Sequence, residues 1–399
     1  MSAPTPGTIR PSTRAVRAGI DRDPAFGAVT PPLVLSSNFS FAGFDRKRAY
    51  DYTRSGNPTR DLLAEALADL EGGAGAVVTA SGMAAIALVL QALLQPGDRL
   101  VVPHDAYGGS WRLFDALARR GHFELAVVDL TDARALADAL RVPTTLVWIE
   151  TPSKPLLRIT DLRHVVAAAH AAGALAVVDN TFLSPALQRP LAHGADVVVH
   201  STTKYINGHS DVVGGAVVAG DAALHERLAW WANCLGLAGA PFDAFLALRG
   251  LRTLDARMRV HEANAAAVAA CLQAHPVVRT VHWPGLLGHP GHAIARRQQD
   301  GFGAMLSVEL HGGVDAVRAF LDGLRWFTLA ESLGGVESLV AHPATMTHAA
   351  MTADVRRVAG IGDGLLRLSV GIEHVDDLLA DLGEALGRAL ALATLGSTA

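Results

Sequence analysis

Lys204 is reached through Val197-Val-Val-His-Ser-Thr-Thr, an apolar run that ends in hydroxyls, and Gly208 follows soon after. A lysine amine partly stripped of water at a strand end can condense with an aldehyde to form a Schiff base. The hydroxyls of Ser201 and Thr203, just before it, suit a phosphate on the same molecule. Pyridoxal phosphate (PLP) carries both groups, so it is the cofactor to which this spacing points. Taken alone, Lys204 fits an ordinary surface loop better. The weight comes from a second strand, Ala174-Leu-Ala-Val-Val-Asp179, which ends in a carboxylate. Such a group against a pyridine nitrogen keeps the ring protonated and makes it an electron sink. An isolated aspartate there reads as a turn or a helix cap. Next to a strand-end Ser-Thr-Thr-Lys it reads as cofactor chemistry.

Other residues can be weighed against that pair. Ser81, Gly82 and Met83 stand between a strand and a helix, where backbone N–H groups form an anion site. The stretch is neither a Walker loop nor a G-x-G-x-x-G fingerprint, which counts against nucleoside triphosphates and NAD. Tyr107, in the loop Asp105-Ala-Tyr-Gly-Gly-Ser, offers a ring for stacking on a pyridine face; a half-buried tyrosine closing a loop explains it equally well. Arg367 lies among apolar neighbours in Leu365-Leu-Arg-Leu-Ser. It fits a bidentate carboxylate clamp and an outward-facing strand position alike. The histidines show no HExxH or comparable metal grouping, and His104, His200 and His209 read as structural.

These residues need a scaffold that brings strand ends together. With 399 residues, half of them apolar and 18% charged, the chain has material for a large core and two domains. A net charge of −4 argues against a nucleic-acid or membrane-surface partner. Two cysteines, Cys234 and Cys271, without metal spacing fit a reducing cytoplasm. The opening octet is polar and proline-rich, reads as disordered, and lacks the apolar core of a signal peptide. No apolar run reaches the length of a membrane span.

From about residue 60, continuous apolar strands alternate with helices. Strands are expected at 75–79, 98–103, 123–128, 144–149, 174–180, 195–201 and 212–218, with helices from Met83, Trp111 and Asp161. This predicts an α/β fold with a mostly parallel sheet covered on both faces. Ligands then gather at the strands' carboxyl ends, where Asp179 and Lys204 both fall. A long helix over 254–273 changes the pattern. After it come a strand at 303–310, a helix at 313–322, strands near 327–332 and 365–373, and a terminal helix from Val375. The expected organisation is an extended arm over 1–60, a cofactor-binding α/β domain over 61–256 and a smaller α+β domain over 257–399.

Several segments together resemble the PLP-dependent trans-sulfuration enzymes of Cys/Met metabolism along nearly the whole chain. They are Tyr50-Asp-Tyr-Thr-Arg-Ser-Gly-Asn-Pro-Thr-Arg60, Ser81-Gly-Met, Asp105-Ala-Tyr-Gly-Gly-Ser-Trp-Arg112, Val178-Asp-Asn-Thr-Phe-Leu-Ser-Pro185 and His200-Ser-Thr-Thr-Lys-Tyr205, followed by Trp230-Trp-Ala-Asn233, Leu248-Arg-Gly-Leu-Arg-Thr253, Glu331-Ser-Leu-Gly-Gly-Val-Glu-Ser338 and Leu366-Arg-Leu-Ser369. The resemblance implies the aspartate-aminotransferase-like fold (fold type I). It implies that Lys204 carries PLP, that Asp179 pairs with the ring nitrogen and that Tyr107 stacks on the ring. Ser81, Gly82, Met83, Thr181, Ser201 and Thr203 would surround the cofactor. Tyr52 and Arg54 would reach the phosphate in a neighbouring subunit, within a homotetramer built as a dimer of dimers. Ser332 and Arg367 would hold a substrate α-carboxylate.

Within the family, Glu331 resembles the enzymes that act at Cγ, where β-lyases carry tyrosine. Arg112, a cation suited to the distal carboxylate of a succinyl ester, and the Trp230-Trp231-Ala-Asn segment resemble the enzymes that add a thiol to an acylated homoserine. Ser55 resembles the γ-lyases instead. The reaction implied is a γ-replacement that joins O-succinyl-L-homoserine to L-cysteine, giving L-cystathionine and succinate. The alternatives are γ-cleavage of cystathionine, sulfhydrylation of an acylhomoserine, or a non-catalytic interaction protein on the same fold. One departure stands out: Lys154, in Thr151-Pro-Ser-Lys-Pro, replaces the family's asparagine. It either supplies a charged donor near the cofactor's phenolic oxygen and the substrate carboxylate, or turns away to solvent.

Overall fold

The computed structural model describes residues 9–346 and 360–396; the opening octet lies outside them. Seven strands form the first sheet: β1 (Gly75–Thr79), β2 (Arg99–Pro103), β3 (Glu124–Val128), β4 (Leu146–Glu150), β5 (Leu175–Asp179), β6 (Val197–His200) and β7 (Gly215–Ala219). Their order is β1-β7-β6-β5-β4-β2-β3. Only β7 runs antiparallel to its neighbours; β6, β5, β4, β2 and β3 pair in parallel. Because β7 reverses direction between them, β1 and β6 end on the same edge of the sheet.

Alternation of side chains across the sheet explains why these strands are apolar throughout. Val217 and Ala219 of β7 pack with Ala85 and Leu88 of helix Gly82–Leu93. Ala216 and Val218 face the other way, toward Leu63 and Leu67 of helix Pro58–Glu71. That second helix has clear end signals. The Asn57 side chain accepts from the N–H groups of Thr59 and Arg60, Pro58 opens the first turn, and Gly72 closes the helix at φ 80°. It begins just inside the segment expected to be an extended arm. Among the described residues, the rest of that segment holds one short helix, Pro11–Arg17, and is otherwise irregular and mostly exposed.

The second sheet has the order β10-β11-β12-β9-β8, built from β8 (Val278–His282), β9 (Met305–Leu310), β10 (Thr328–Leu329), β11 (Leu339–Ala341) and β12 (Leu365–Ser369). Only β10 and β11 pair in parallel. Central β12 is buried at every position. Helix Leu254–Gln273 packs on β8, β9 and the terminal helix Val375–Gly396. One buried cluster runs from Leu63 and Leu67 through Leu251 and Leu254 to Leu306, Leu366 and Leu382, so the two sheets share a continuous core. That shared core fixes the second sheet against the strand ends of the first. No helix among the described residues is long and apolar enough to cross a membrane.

Candidate active site

The carboxyl ends of β4, β5 and β6 open onto a cavity of about 340 Å³. Parallel register sets Glu150 beside Asp179, and Asp179 beside Val199. The chain leaving β6 therefore brings Ser201, Thr203 and Lys204 over the Asp179 carboxylate. Burial alone would raise the pKa of Asp179. The Lys154 charge and two hydrogen bonds from Thr181 more than offset it and hold the carboxyl below its ordinary value. One of those bonds, from the Thr181 N–H to Oδ1, is 2.9 Å long. Asp179 thus does both things the sequence offered: it stabilises the turn after β5 and points an anion into the cavity.

Lys204 reaches across to the second sheet. Its Nζ donates to the Ser332 hydroxyl at 2.7 Å. Arg367, at the centre of β12 between Ala341 and Ser307, donates from Nη2 to the Ser332 carbonyl at 2.9 Å. The outward-facing alternative for Arg367 is excluded, since the residue is buried. One serine therefore ties the amine and the guanidinium together at the cavity wall. Ser332 has a positive φ of 82°, a left-handed conformation uncommon for a residue with a side chain. Glu331 lines the mouth beside it. Burial pushes the Lys204 ammonium down to about 8, helped by the charges of Arg367 and Lys154 and opposed by Glu331. A partly buried amine with a lowered pKa is a nucleophile and base near neutral pH.

The opposite wall is made for an anion. Helix Gly82–Leu93 starts at the end of β1, and its cap Ser81 accepts from the Ala84 N–H at 3.0 Å. The N–H groups of the first turn have no partner within the helix. A Cβ on Gly82 would come within 2.8 Å of Ser201 Cβ, so only glycine lets the helix end approach that loop. Thr181 Oγ1 accepts from the Ser201 N–H at 2.9 Å, and Thr203 Oγ1 both donates to the Gly214 carbonyl and accepts from its N–H. Tyr107 caps the next helix, Gly108–Arg119, with its N–H on Glu150 Oε2 at 2.9 Å and its ring at the cavity.

Some expected residues lie elsewhere. Tyr52 is exposed, and Arg54 stacks over its ring while donating to the Asn233 side chain and carbonyl; neither lines this cavity. Arg112 points to solvent, because its phase on helix Gly108–Arg119 is opposite that of buried Phe114. Lys154 does not turn to solvent. It is buried, with its ammonium on Asp179 and Glu150. His200 is structural as expected, paired with Glu71 behind the sheet at 2.7 Å.

Several residues of the site escape the sequence reading, Glu150 and Phe182 among them. Glu150 ends β4 in register with Asp179, whereas the apolar pattern alone ends that strand at Ile149. A strand-end carboxylate one strand from Asp179 is the available signal. Phe182 lies three residues after Asp179 and lines the cavity with an apolar ring; nothing in the local pattern distinguishes it from core.

The donor set fits pyridoxal phosphate. The cavity offers a helix N-terminus with hydroxyls for a phosphate, a buried carboxylate for a ring nitrogen, an aromatic face and an amine with a lowered pKa. The sequence profile of the Cys/Met metabolism PLP-dependent enzymes matches residues 12–387. The chain is 56% identical to the cystathionine gamma-synthase of Escherichia coli (strain K12) over 94% of its length and 97% of that protein's. It is 47% identical to the cystathionine beta-lyase of Coxiella burnetii, over 94% of this chain and 97% of that one. The cystathionine gamma synthase of Xanthomonas oryzae pv. oryzae, 72% identical, has been solved in complex with aminoacrylate and cysteine and in complex with cystathionine. Those structures superpose with TM-scores of 0.96 and 0.95, over 96% of this chain and 100% of theirs. The strand-end lysine and aspartate and the matches along the whole chain agree, and the chain belongs to the Cys/Met metabolism PLP-dependent enzymes, with the fold type I architecture.

Proposed function

We propose that the chain catalyses the γ-replacement that joins O-succinyl-L-homoserine to L-cysteine, releasing succinate and L-cystathionine. The observation that carries this reading is the junction of Lys204, Ser332 and Arg367, which sets a base next to a carboxylate clamp and so suits an α-amino acid. Bound PLP supplies an aldehyde for the substrate's amino group and a ring that draws electrons from Cα. In our reading Arg367 and Ser332 grip the α-carboxylate, a bidentate geometry that fixes Cα over the base. Lys204 Nζ, freed when the substrate's amino group takes its place, removes the Cα proton and shuttles protons at Cβ. Asp179 holds positive charge at the ring nitrogen. Ser81, Gly82 and Met83, with Thr181, Ser201 and Thr203, hold the phosphate, and the Tyr107 ring stacks on the pyridine. Glu331 stands at the mouth where the Cγ substituents leave and enter. Arg112 is turned to solvent, so as our candidate cation for the distal carboxylate of the succinyl group it would have to swing toward the mouth to meet it. The synthases at 56% and 72% identity support replacement; the β-lyase at 47% is the reason to test for cleavage.

Mass-spectrometric product analysis decides it. Holoenzyme given O-succinyl-L-homoserine should form cystathionine only when cysteine is present. If 2-oxobutyrate is the sole product and added cystathionine is cleaved, the chain is a lyase and the proposal fails.

The reading extends to assembly and place. Phe26 and Phe44 of the arm are 91% and 102% exposed, with Val29, Leu35 and Phe41 of the same segment more than half exposed, and apolar side chains gathered on one segment in this way mark a surface for a partner. We assign the arm to a second copy's cavity, where Tyr52 and Arg54 would meet the phosphate, within a cytoplasmic homotetramer. Arg54→Ala and Lys204→Ala chains should each be nearly inactive, and their coexpression should restore activity. No activity in the hybrid would show that each chain completes its own site.

A further inference from the structure

The ammonium of Lys154 is largely withdrawn from water between two carboxylates at the wall of the cavity. The residue is 7% exposed, and Nζ lies 3.3 Å from Asp179 Oδ2 and 3.5 Å from Glu150 Oε2. The Phe182 and Tyr107 ring centroids are 4.7 and 5.4 Å away, which keeps water out and adds cation–π attraction. The rest of the cluster is engaged. Glu150 Oε1 accepts from the Trp148 indole and Oε2 from the Tyr107 N–H. Asp179 Oδ1 accepts from the Thr181 N–H, and Oδ2 faces Lys154.

Two buried carboxylates in register on adjacent strands repel each other and resist ionisation unless a cation lies between them. Lys154 is that cation. Burial raises the Glu150 carboxyl even with Lys154 present, so without the cation the two carboxylates would face each other uncompensated. Oδ2 is also the oxygen that a ring nitrogen would need. We propose that Lys154 is a positioning residue that stands in for the cofactor's ring nitrogen, neutralising Asp179 while the site is empty and competing for Oδ2 when PLP enters. This rests on the reading of Asp179 as the ring-nitrogen partner.

Two consequences follow. The apparent affinity for PLP is scaled down to the fraction of protein in which Oδ2 is free. The depleted protein is stabilised, because no uncompensated pair of buried carboxylates is left behind. A purely structural ion pair would give the second effect without the first. A direct ligand of the cofactor would give the opposite of the first.

The test starts from holoenzyme dialysed against a series of PLP concentrations, reading bound cofactor and the Tm of depleted and loaded protein. Lys154→Met should tighten PLP binding about tenfold and lower the Tm of the depleted protein while leaving that of the loaded protein unchanged. Lys154→Gln should do the same, and Lys154→Arg, which keeps the cation, should match the wild type. Unchanged or weaker binding in Lys154→Met and Lys154→Gln overturns the proposal. Asp179→Asn separates it from the reading beneath: if this variant holds PLP as tightly as wild type, Asp179 is not the ring's partner and the competition falls with it. If Asp179→Asn weakens binding while the Lys154 variants do not tighten it, only the role given to Lys154 is wrong.

Discussion

Lys204→Ala is expected to lose cystathionine formation by a factor of about 10⁴ or more, with no loss of fold. General-base catalysis alone contributes about 10²–10⁴, and this variant also loses the amine to which we assign the cofactor's anchoring. The fold should persist because of the surroundings of Lys204. Its ammonium is pushed down to about 8 by burial, with Arg367 and Lys154 adding repulsion. Its hydrogen bond goes to the Ser332 hydroxyl, at a position still open to water. Removing a disfavoured cation costs the folded state little, so Tm should stay near that of the wild type. Turnover followed by mass spectrometry, the visible absorption of lysine-bound cofactor and a thermal melt together check this. Turnover within tenfold of wild type would remove Lys204 from the chemistry; a collapsed Tm would mean that the lost activity reports unfolding.

How much of this site the sequence reveals depends on how local each contact is. Asp179 and Lys204 are legible because one closes an apolar strand and the other follows just after one, and parallel strands place their carboxyl ends together without further information. Ser81 and Gly82 are legible because a strand–turn–helix junction makes its own anion site. Arg367 is ambiguous in sequence between clamp and surface. The decision depends on β11 and β9 flanking it, and the three residues of β11 are too few to show a period. β8, half-exposed at a sheet edge with Arg279 outward, likewise has no apolar run to find. Ser332 meets Lys204 across 128 residues of sequence, a pairing that only the shared core of the two sheets brings about. Arg112 shows the reverse case: its residue type suits a carboxylate, but its position on the helix turns it outward. Lys154 is legible as a departure while its second partner, Glu150, is not, because the apolar pattern ends the strand one residue short of it.

Asp179→Asn should lower kcat by about 10²–10³, the range seen when one preorganised electrostatic group is removed from an active site. Asparagine keeps the shape, and its carbonyl oxygen can still accept from the Thr181 N–H that now binds Oδ1. What disappears is the charge. Neither the ring nitrogen nor Lys154 then has Asp179 as counter-ion, and Lys154 retains only Glu150, 3.5 Å away. That remaining pair limits the damage to the fold. Removing one partner of a buried ion pair costs about 3–5 kcal/mol when the other charge is left uncompensated, and here a second carboxylate compensates it. A modest fall in Tm should therefore accompany a large fall in kcat. The acid side should change as well. In the wild type the Asp179 carboxyl is held below its ordinary value, so its stabilising contribution is present above the unfolded carboxyl pKa of about 4 and is lost as pH falls through the lower folded value. The substituted amide cannot titrate, and the difference in Tm between variant and wild type should shrink on acidification. If kcat stays within a few-fold of wild type while Tm collapses, Asp179 is a packing group whose charge serves Lys154 alone.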